Sequence, residues 1–320
     1  MNALITGGAG FIGSHLAEAL VKDGFIVTLV DDLSTGSLDN IKSLLKLGDI
    51  KFVRESVRNS VAMTSLVDHS DIIFHLAAAV GVQLIVDRPV HTIETNIHGS
   101  EVILNLASRF GRRIFVASSS EVYGKGTKIP FSEDDDVILG STRFTRWSYA
   151  CSKMIDEFLA LAYHDTFGLE AIVGRFFNTI GPRQIGSYGM VVPRFIKSAL
   201  NGDNIEIYGD GQQSRCFCDV SDVVSALLKL IRCDDAVGEV INIGSDIPVS
   251  INELADLVID ITHSKSKKVY LTYEEAYGRP FDDMLIRVPD LKKIKGLINY
   301  EPQYKLKETL RGIVESEQIN

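Results

Sequence analysis

Long apolar runs are missing from this sequence: none reaches the ~18 residues that a membrane span requires, so no membrane partner is expected. Cysteine is scarce. The four present (Cys151, Cys216, Cys218, Cys233) have no metal-ligand spacing, and Cys216 and Cys218 alternate like neighbours on one strand face. That argues against a disulfide framework or a metal centre and suits reduced thiols in a cytoplasmic protein. Positive charge is also short, with 33 Lys and Arg against 42 Asp and Glu and a formal net charge of −9. A sequence pI near 5.3 argues against a general nucleic-acid or anionic-lipid surface. An anionic ligand would need local arginines. No repeat, low-complexity tract or long linker interrupts the 320 residues, which suit one large or two fused domains. The first apolar strand starts at Met1, so no signal peptide is expected.

What is there begins with Met1 to Gly13, MNALITGGAGFIG. An apolar strand (Ala3, Leu4, Ile5) runs into Thr6, then glycines fall at 7, 8, 10 and 13, and a helix follows with Ile12, Leu16, Ala19 and Leu20 on one face. Strand, glycine turn and helix form the setting of a dinucleotide fingerprint, because a turn without Cβ atoms lets backbone amides approach a pyrophosphate at the helix N-terminus. A plain glycine turn is the alternative. Phe25 to Val30 reads as a buried strand ending in Asp31-Asp32, about 20 residues beyond the turn. A carboxylate there can accept from both ribose hydroxyls and would repel a 2′-phosphate, which selects NAD over NADP.

Ile50–Val53, Asp71–Leu76 and Arg113–Ala117 read as three further strands, with a helix over Ile93–Phe110. Strands alternating with helices predict an α/β fold, a Rossmann-type doubly wound parallel sheet whose ligands lie beyond the strand carboxyl ends. The fifth strand ends in Ser118-Ser119-Ser120-Glu121, either a catalytic cluster or a serine-rich turn. Tyr149 and Lys153 lie four apart on one helical face. An ammonium beside a phenol stabilises the phenolate and lowers its pKa, which would make Tyr149 a usable general base.

Together the Gly7/Gly10/Gly13 turn, Asp31, His75-Leu-Ala-Ala, Asn96, the serine strand end and the Tyr149/Lys153 pair resemble the extended short-chain dehydrogenase/reductase family, in particular its nucleotide-sugar epimerases, dehydratases and decarboxylases. Arg175-Phe-Phe-Asn178-Thr-Ile-Gly-Pro-Arg183, Tyr208 to Arg215 and Arg287-Val-Pro-Asp290 match the half that holds the sugar nucleotide. Ser56-Val57 departs from the pattern, since many members carry an aspartate there against adenine. The resemblance implies a dinucleotide-binding domain over 1–178, rejoined by about 218–244, and a smaller C-terminal α/β substrate-binding domain from 179–217 and 245–320. It also implies a homodimer through the helices at about Thr92–Phe110 and Tyr149–Phe167.

By the same resemblance NAD is held by Gly7, Gly10, Phe11, Ile12, Gly13, Asp31, Asp32, Ser34, Thr35, Gly36, Leu76, Ala77, Ala78, Asn96, Tyr149 and Lys153. A UDP-sugar is held by Val80, Gly81, Ser119, Ser120, Glu121, Tyr149, Asn178, Arg183, Val192, Arg194, Tyr208, Arg215 and Arg287. Tyr149 takes the proton of the sugar 4-hydroxyl as hydride leaves C4, Ser119 shares that hydrogen bond, and Lys153 holds the ribose and tunes Tyr149. Glu121 bears on the fate of the 4-keto sugar. The Ser120-Glu121 pair resembles UDP-glucuronate decarboxylases, whereas Pro193-Arg194-Phe195-Ile196 resembles 4-epimerases and Arg146-Trp147 resembles uronate-processing enzymes. The favoured expectation is C4-epimerisation of UDP-glucuronic acid, with Arg183 and Arg194 as candidate clamps on its carboxylate; decarboxylation and UDP-glucose 4-epimerisation are the alternatives. A non-catalytic NAD sensor on the same fold is the alternative of another class.

Downstream, Val191–Asn201, Val223–Ile231 and Ile251–Ile261 read as helices. Ile205–Tyr208 and Val240–Ile243 read as strands, Arg215–Asp219 as extended chain, and Leu291–Asn320 as one solvated closing helix.

Overall fold

The computed structural model describes residues 1–186, 189–278 and 284–319. The amino-terminal part alternates strand and helix: β1 (Asn2–Thr6), α1 (Phe11–Lys22), β2 (Ile26–Asp31), β3 (Ile50–Arg54), α2 (Ser60–Asp68), β4 (Ile72–His75), α3 (Val82–Asp87), α4 (Pro89–Phe110), β5 (Arg113–Ser119), α5 (Arg146–Phe167) and β6 (Ala171–Phe176). The remainder comprises β7 (Thr179–Ile180), α6 (Val191–Asn201), β8 (Ile205–Tyr208), β9 (Ser214–Cys216), β10 (Cys218–Asp219), α7 (Val220–Leu230), β11 (Val240–Ile243), β12 (Pro248–Ser250), α8 (Ile251–Thr262), β13 (Lys268–Leu271), α9 (Tyr273–Tyr277), β14 (Ile286–Arg287), α10 (Lys292–Ile298) and α11 (Leu306–Ile319).

Seven strands form one sheet in the order β11-β6-β5-β4-β1-β2-β3, with every neighbouring pair parallel. Strands covered on both faces must be apolar throughout, as Ala3, Leu4, Ile5, Ile73, Phe74, Ile114, Phe115 and Val116 are. One apolar layer joins α1 and α7 to the sheet through Leu16, Leu20, Leu29, Phe115 and Leu227. The other packs α2, α4 and α5 on the opposite face through Met63, Ile103, Leu104 and Ala160. Strand β11 lies beside β6, so the chain returns to the main sheet late, as its sequence position suggests.

A separate apolar cluster unites α6, α8 and α11 through Phe195, Ile196, Leu254, Val258, Leu310 and Ile313. Ser250 and Glu253 close a capping box at the start of α8. Strand β9 stands between β12 and β14, and β8 pairs with β13. The carboxyl-terminal stretch differs from the single solvated helix expected. Asn299 takes a left-handed φ of 51° and stops α10, Pro302 lies in the gap, and α11 begins at Leu306. Leu310, Ile313 and Val314 are then buried, so α11 belongs to the core of this part; Asn320 lies outside the described residues.

Candidate active site

One cleft of about 470 Å³ runs along the carboxyl ends of the main strands. At one end Gly7 adopts a φ of 72°, and a Cβ on Gly13 would stand 2.2 Å from the Gly7 carbonyl oxygen. The turn therefore closes only on bare backbone, and the α1 N-terminus opens onto the cleft with no side-chain cap. The carboxylate of Asp31 accepts from the amides of Ala9 (3.0 Å) and Leu33 (2.8 Å), while Asp32 accepts from the Ser34 amide (2.9 Å). Burial raises the Asp31 pKa from the usual carboxylate range, and the Leu33 and Ala9 amides oppose that rise.

Gly10, Phe11, Ile12, Thr35, Leu76, Ala77 and Ala78 line the same end. These residues fit a dinucleotide: the glycine cradle has no room for a Cβ, the helix end offers amides to a pyrophosphate, and an acid waits at the end of β2. Two of the expected contacts stand behind the wall instead. Gly36 backs Asp31, where a Cβ would meet a carboxylate oxygen at 2.8 Å. Asn96 is buried and braces the wall by accepting from the Ala79 amide (2.8 Å) and donating to Ser152 Oγ (3.1 Å).

At mid-cleft stand Ser119, Ser120, Glu121, Tyr149 and Lys153. Ser119 ends β5 and its hydroxyl accepts from the Glu121 amide at 3.2 Å, which turns the chain and points Glu121 across the cleft. There two guanidinia bracket its carboxylate. Arg287 Nη2 donates to Oε1 at 2.7 Å and Arg146 Nη2 to Oε2 at 3.2 Å, while Arg287 Nη1 reaches Ser120 Oγ at 3.3 Å. Both arginines are buried. Arg287 arrives there because β14 pairs in parallel with β9, which sets it opposite Arg215. Beneath the cluster, Glu157 takes Arg175 in a bidentate pair at 2.7 and 2.9 Å and accepts from Ser118.

Tyr149 is buried, and its pKa is raised by burial first and by the Glu121 charge second, with a hydrogen bond to Ser119 opposing the rise. The sequence reading had Lys153 lowering that pKa. Here Lys153 Nζ donates to Asp156 Oδ2 at 2.7 Å, and both side chains are buried. His75, in the same layer, lies 2.7 Å from Thr6 Oγ1 and 3.1 Å from Ser100 Oγ. Burial, assisted by the Lys153 charge, pushes its pKa down to about 3.

The far end collects Asn178, Val192, Tyr208, Gln213 and Arg215, with Val80 and Gly81 on the opposite wall. Asn178 Nδ2 donates to the Cys216 carbonyl at 3.2 Å, and Arg215 Nη1 to the Ser214 carbonyl at 2.8 Å. Both expected carboxylate clamps, Arg183 and Arg194, line the cleft. Arg183 pairs with Glu18 of α1, and Arg194 stacks 3.9 Å above the Tyr208 ring and faces Glu206 at 3.7 Å. Arg183 has the left-handed φ of 69° that carries it toward α1. The site residues missed by sequence reasoning are Arg146, Asp156, Tyr273 and Tyr277. Arg146 precedes Trp147 in a motif noted above, Asp156 falls one turn past Lys153, and the two tyrosines sit four apart on the short α9, with stacked rings 6.4 Å between centroids.

A parallel sheet with a glycine cradle, an acid after β2 and a Ser/Tyr/Lys set at mid-cleft defines a dinucleotide-dependent enzyme of the Rossmann type. Comparison with known proteins narrows the class. The family model described as GDP-mannose 4,6 dehydratase matches residues 4–313. A UDP-N-acetyl-α-D-glucosaminuronate decarboxylase of Bacillus cytotoxicus is 44% identical over 320 residues, 98% of each chain. UDP-glucuronic acid decarboxylase 5 of Arabidopsis thaliana is 37% identical over 313 residues, 97% of this chain and 87% of that one. Among solved structures, a UDP-glucuronic acid 4-epimerase from Bacillus cereus in complex with UDP-glucuronic acid and NAD superposes with a TM-score of 0.90 at 28% identity, covering 100% of both chains. The chain belongs to the extended short-chain dehydrogenase/reductase family, in its branch of NAD-dependent nucleotide-sugar epimerases, dehydratases and decarboxylases.

Proposed function

We propose that this protein is an NAD-dependent decarboxylase of a UDP-hexuronic acid, with UDP-N-acetylglucosaminuronic acid as the favoured substrate and UDP-glucuronic acid next. The observation that carries the reading is the Glu121 carboxylate clasped by Arg146 and Arg287 beside Tyr149. The order of substrates follows from identity, 44% against 37%, to relatives so named. The sequence reading put 4-epimerisation first. That reaction needs the 4-keto uronate to keep a carboxylate prone to leave, through a clamp of its own. The two arginines assigned to that task line the cleft but each also meets a protein partner, Glu18 and Tyr208, whereas the Glu121 bracket has both of its arginines at mid-cleft.

Tyr149 takes the proton of the sugar 4-hydroxyl, with Ser119 sharing the hydrogen bond. NAD held by the Gly7–Gly13 turn and Asp31 would supply the acceptor, and later the donor, of one hydride at C4. The 4-keto uronate is a β-keto acid, so the C5–C6 bond electrons flow into the C4 carbonyl and CO₂ departs. Glu121 is held in place by Arg146 and Arg287, and the Arg287 guanidinium stabilises the developing enolate oxygen. A solvent proton at C5 and return of the Tyr149 proton to O4 complete the proton balance. Ile93 and Phe158, exposed on the adjoining α4 and α5, support pairing of two copies there, which light scattering would test.

The test is incubation of the purified protein with each UDP-uronate, followed by NMR and mass spectrometry. A product lighter by one CO₂ with a UDP-pentose spectrum is expected. UDP-galacturonate without mass change would establish epimerisation instead. Tyr149→Phe should lose nearly all turnover and retain NAD, whereas a non-catalytic sensor would be indifferent to the change.

A further inference from the structure

Behind the Glu121–Arg287 pair, away from the cleft, lies a wholly buried carboxamide that the proposed reaction does not use. Asn242 stands on β11 opposite Arg175 of β6, at the edge of the main sheet. Its Oδ1 accepts from the Tyr123 hydroxyl at 2.7 Å. Its Nδ2 donates to the Phe131 carbonyl at 3.0 Å and to the Asp290 carbonyl at 3.3 Å. Carbonyls only accept, so the amide nitrogen must face them and the oxygen is left for Tyr123. Burial pushes the Tyr123 phenol up to about 12, which keeps it a donor. The Asn242 backbone amide is used as well, donating to Glu133 Oε1 at 2.8 Å.

The partners of this one side chain belong to the two segments that meet in the cleft. Tyr123 ends the single 3₁₀ turn, Ser120–Tyr123, that carries Glu121. Asp290 follows Arg287 by three positions, and Phe131 exchanges amide bonds of 2.8 Å with Val288 and Asp290. The Tyr123 ring in turn stacks on Phe131 with centroids 4.7 Å apart. We propose that Asn242 is a positioning residue: it ties the Glu121 turn to the Arg287 segment and so sets the guanidinium where negative charge develops on the sugar. The proposal rests on the reading of Arg287 as the donor to the enolate oxygen. Other restraints act on one member of the pair alone. Ser119 Oγ turns the chain at Glu121, and the pairing of β14 with β9 holds Arg287. Asn242 bonds to both segments from a strand of the rigid sheet, and a misplaced donor forfeits most of its effect on a transition state.

The experiment is a double-mutant cycle of Asn242→Ser with Arg287→Ala, read as CO₂ release from a UDP-uronate, in single turnover where release is slow. NAD affinity is the check that the cleft has formed. Asn242→Ser alone should lower kcat on the order of 10- to 100-fold and leave KM within about twofold. In the Arg287→Ala background the same change should cost less than about twofold, because the group it misplaces is already gone. Tyr123→Phe keeps the ring on Phe131 and removes one bond. It should lower kcat by less, again only with Arg287 present, and it carries the test if Asn242→Ser does not fold. Equal falls in both backgrounds overturn the proposal, as does an unchanged kcat or a loss confined to KM or NAD affinity. If the wild type releases no CO₂ from any UDP-uronate, the reading of the function fails, and the same four proteins are compared in urea unfolding. There the stability lost with Arg287→Ala should shrink by about half or more once Asn242 is serine, and an undiminished loss overturns the role of Asn242.

Discussion

Replacing Arg287 by alanine removes two bonds at the bracket, one to Glu121 Oε1 at 2.7 Å and one to Ser120 Oγ at 3.3 Å. The first is charge-assisted and contributes roughly 1.5–3 kcal/mol, and the longer hydroxyl contact adds about 0.5. Those bonds, about 2–3.5 kcal/mol together, are made in the resting protein and their loss falls on the stability of the site; the rate loses one donor to the developing enolate, roughly a 100- to 1000-fold fall in kcat/KM for CO₂ release. The fold should survive, because Arg146 Nη2 still stands 3.2 Å from the other oxygen of Glu121 and leaves no orphaned carboxylate. Arg287→Lys should recover part of the charge effect but not the fork that spans Ser120 and Glu121. The assay is CO₂ release under saturating NAD, with thermal unfolding alongside. Arg183→Ala and Arg194→Ala are the controls and should act mainly through KM. Unchanged kcat in Arg287→Ala, together with abolished CO₂ release in either control, would refute the assignment of the bracket as the chemical centre.

Two further outcomes follow from the cradle and the buried imidazole. Gly13→Ala places a methyl 2.2 Å from the Gly7 oxygen and 2.9 Å from Gly8 Cα, so the turn must open. Stability should fall by about 1–3 kcal/mol and NAD affinity by at least roughly tenfold, measured by calorimetry. Gly48→Ala, with nothing within 4 Å, is the silent control. His75 is neutral in the folded chain, with its pKa down at about 3. Its unfolded value is near 6.5, so its contribution is complete above that pH and is lost as pH falls toward 3, at about 1.4 kcal/mol per unit. Acid unfolding of His75→Gln should be shallower across that window; an identical slope would show that His75 is not the group responsible.

Much of the dinucleotide half was legible because its signals are local. The Gly7–Gly13 turn, the apolar strands and the acids after Val30 are each set by neighbours within about a dozen residues. The family resemblance carried the Tyr149/Lys153 pair and Glu121 to the same cleft in which the structure assembles them. The carboxyl-terminal half was harder, since its elements are short and lie on a charged stretch. There Asn299 and Pro302 divide one periodic run into α10 and α11, and burial of Ile313 depends on α8, distant in the chain.

From the sequence alone came the α/β alternation, the cradle and the acidic balance that forces anion binding onto local arginines, while the Ser119, Tyr149 and Lys153 set was singled out by the family resemblance. Local spacing suffices for those, because a turn or one helical face involves only near neighbours. Which arginine meets which acid was decided by the tertiary structure. Arg287 reaches Glu121 across 166 positions through the pairing of β14 with β9, while Arg183 is drawn to α1 and Arg194 onto Tyr208. Asp156 likewise becomes the partner of Lys153 only where burial removes water as a competitor. Charge pairing depends on distance and dielectric, and both are properties of the folded chain.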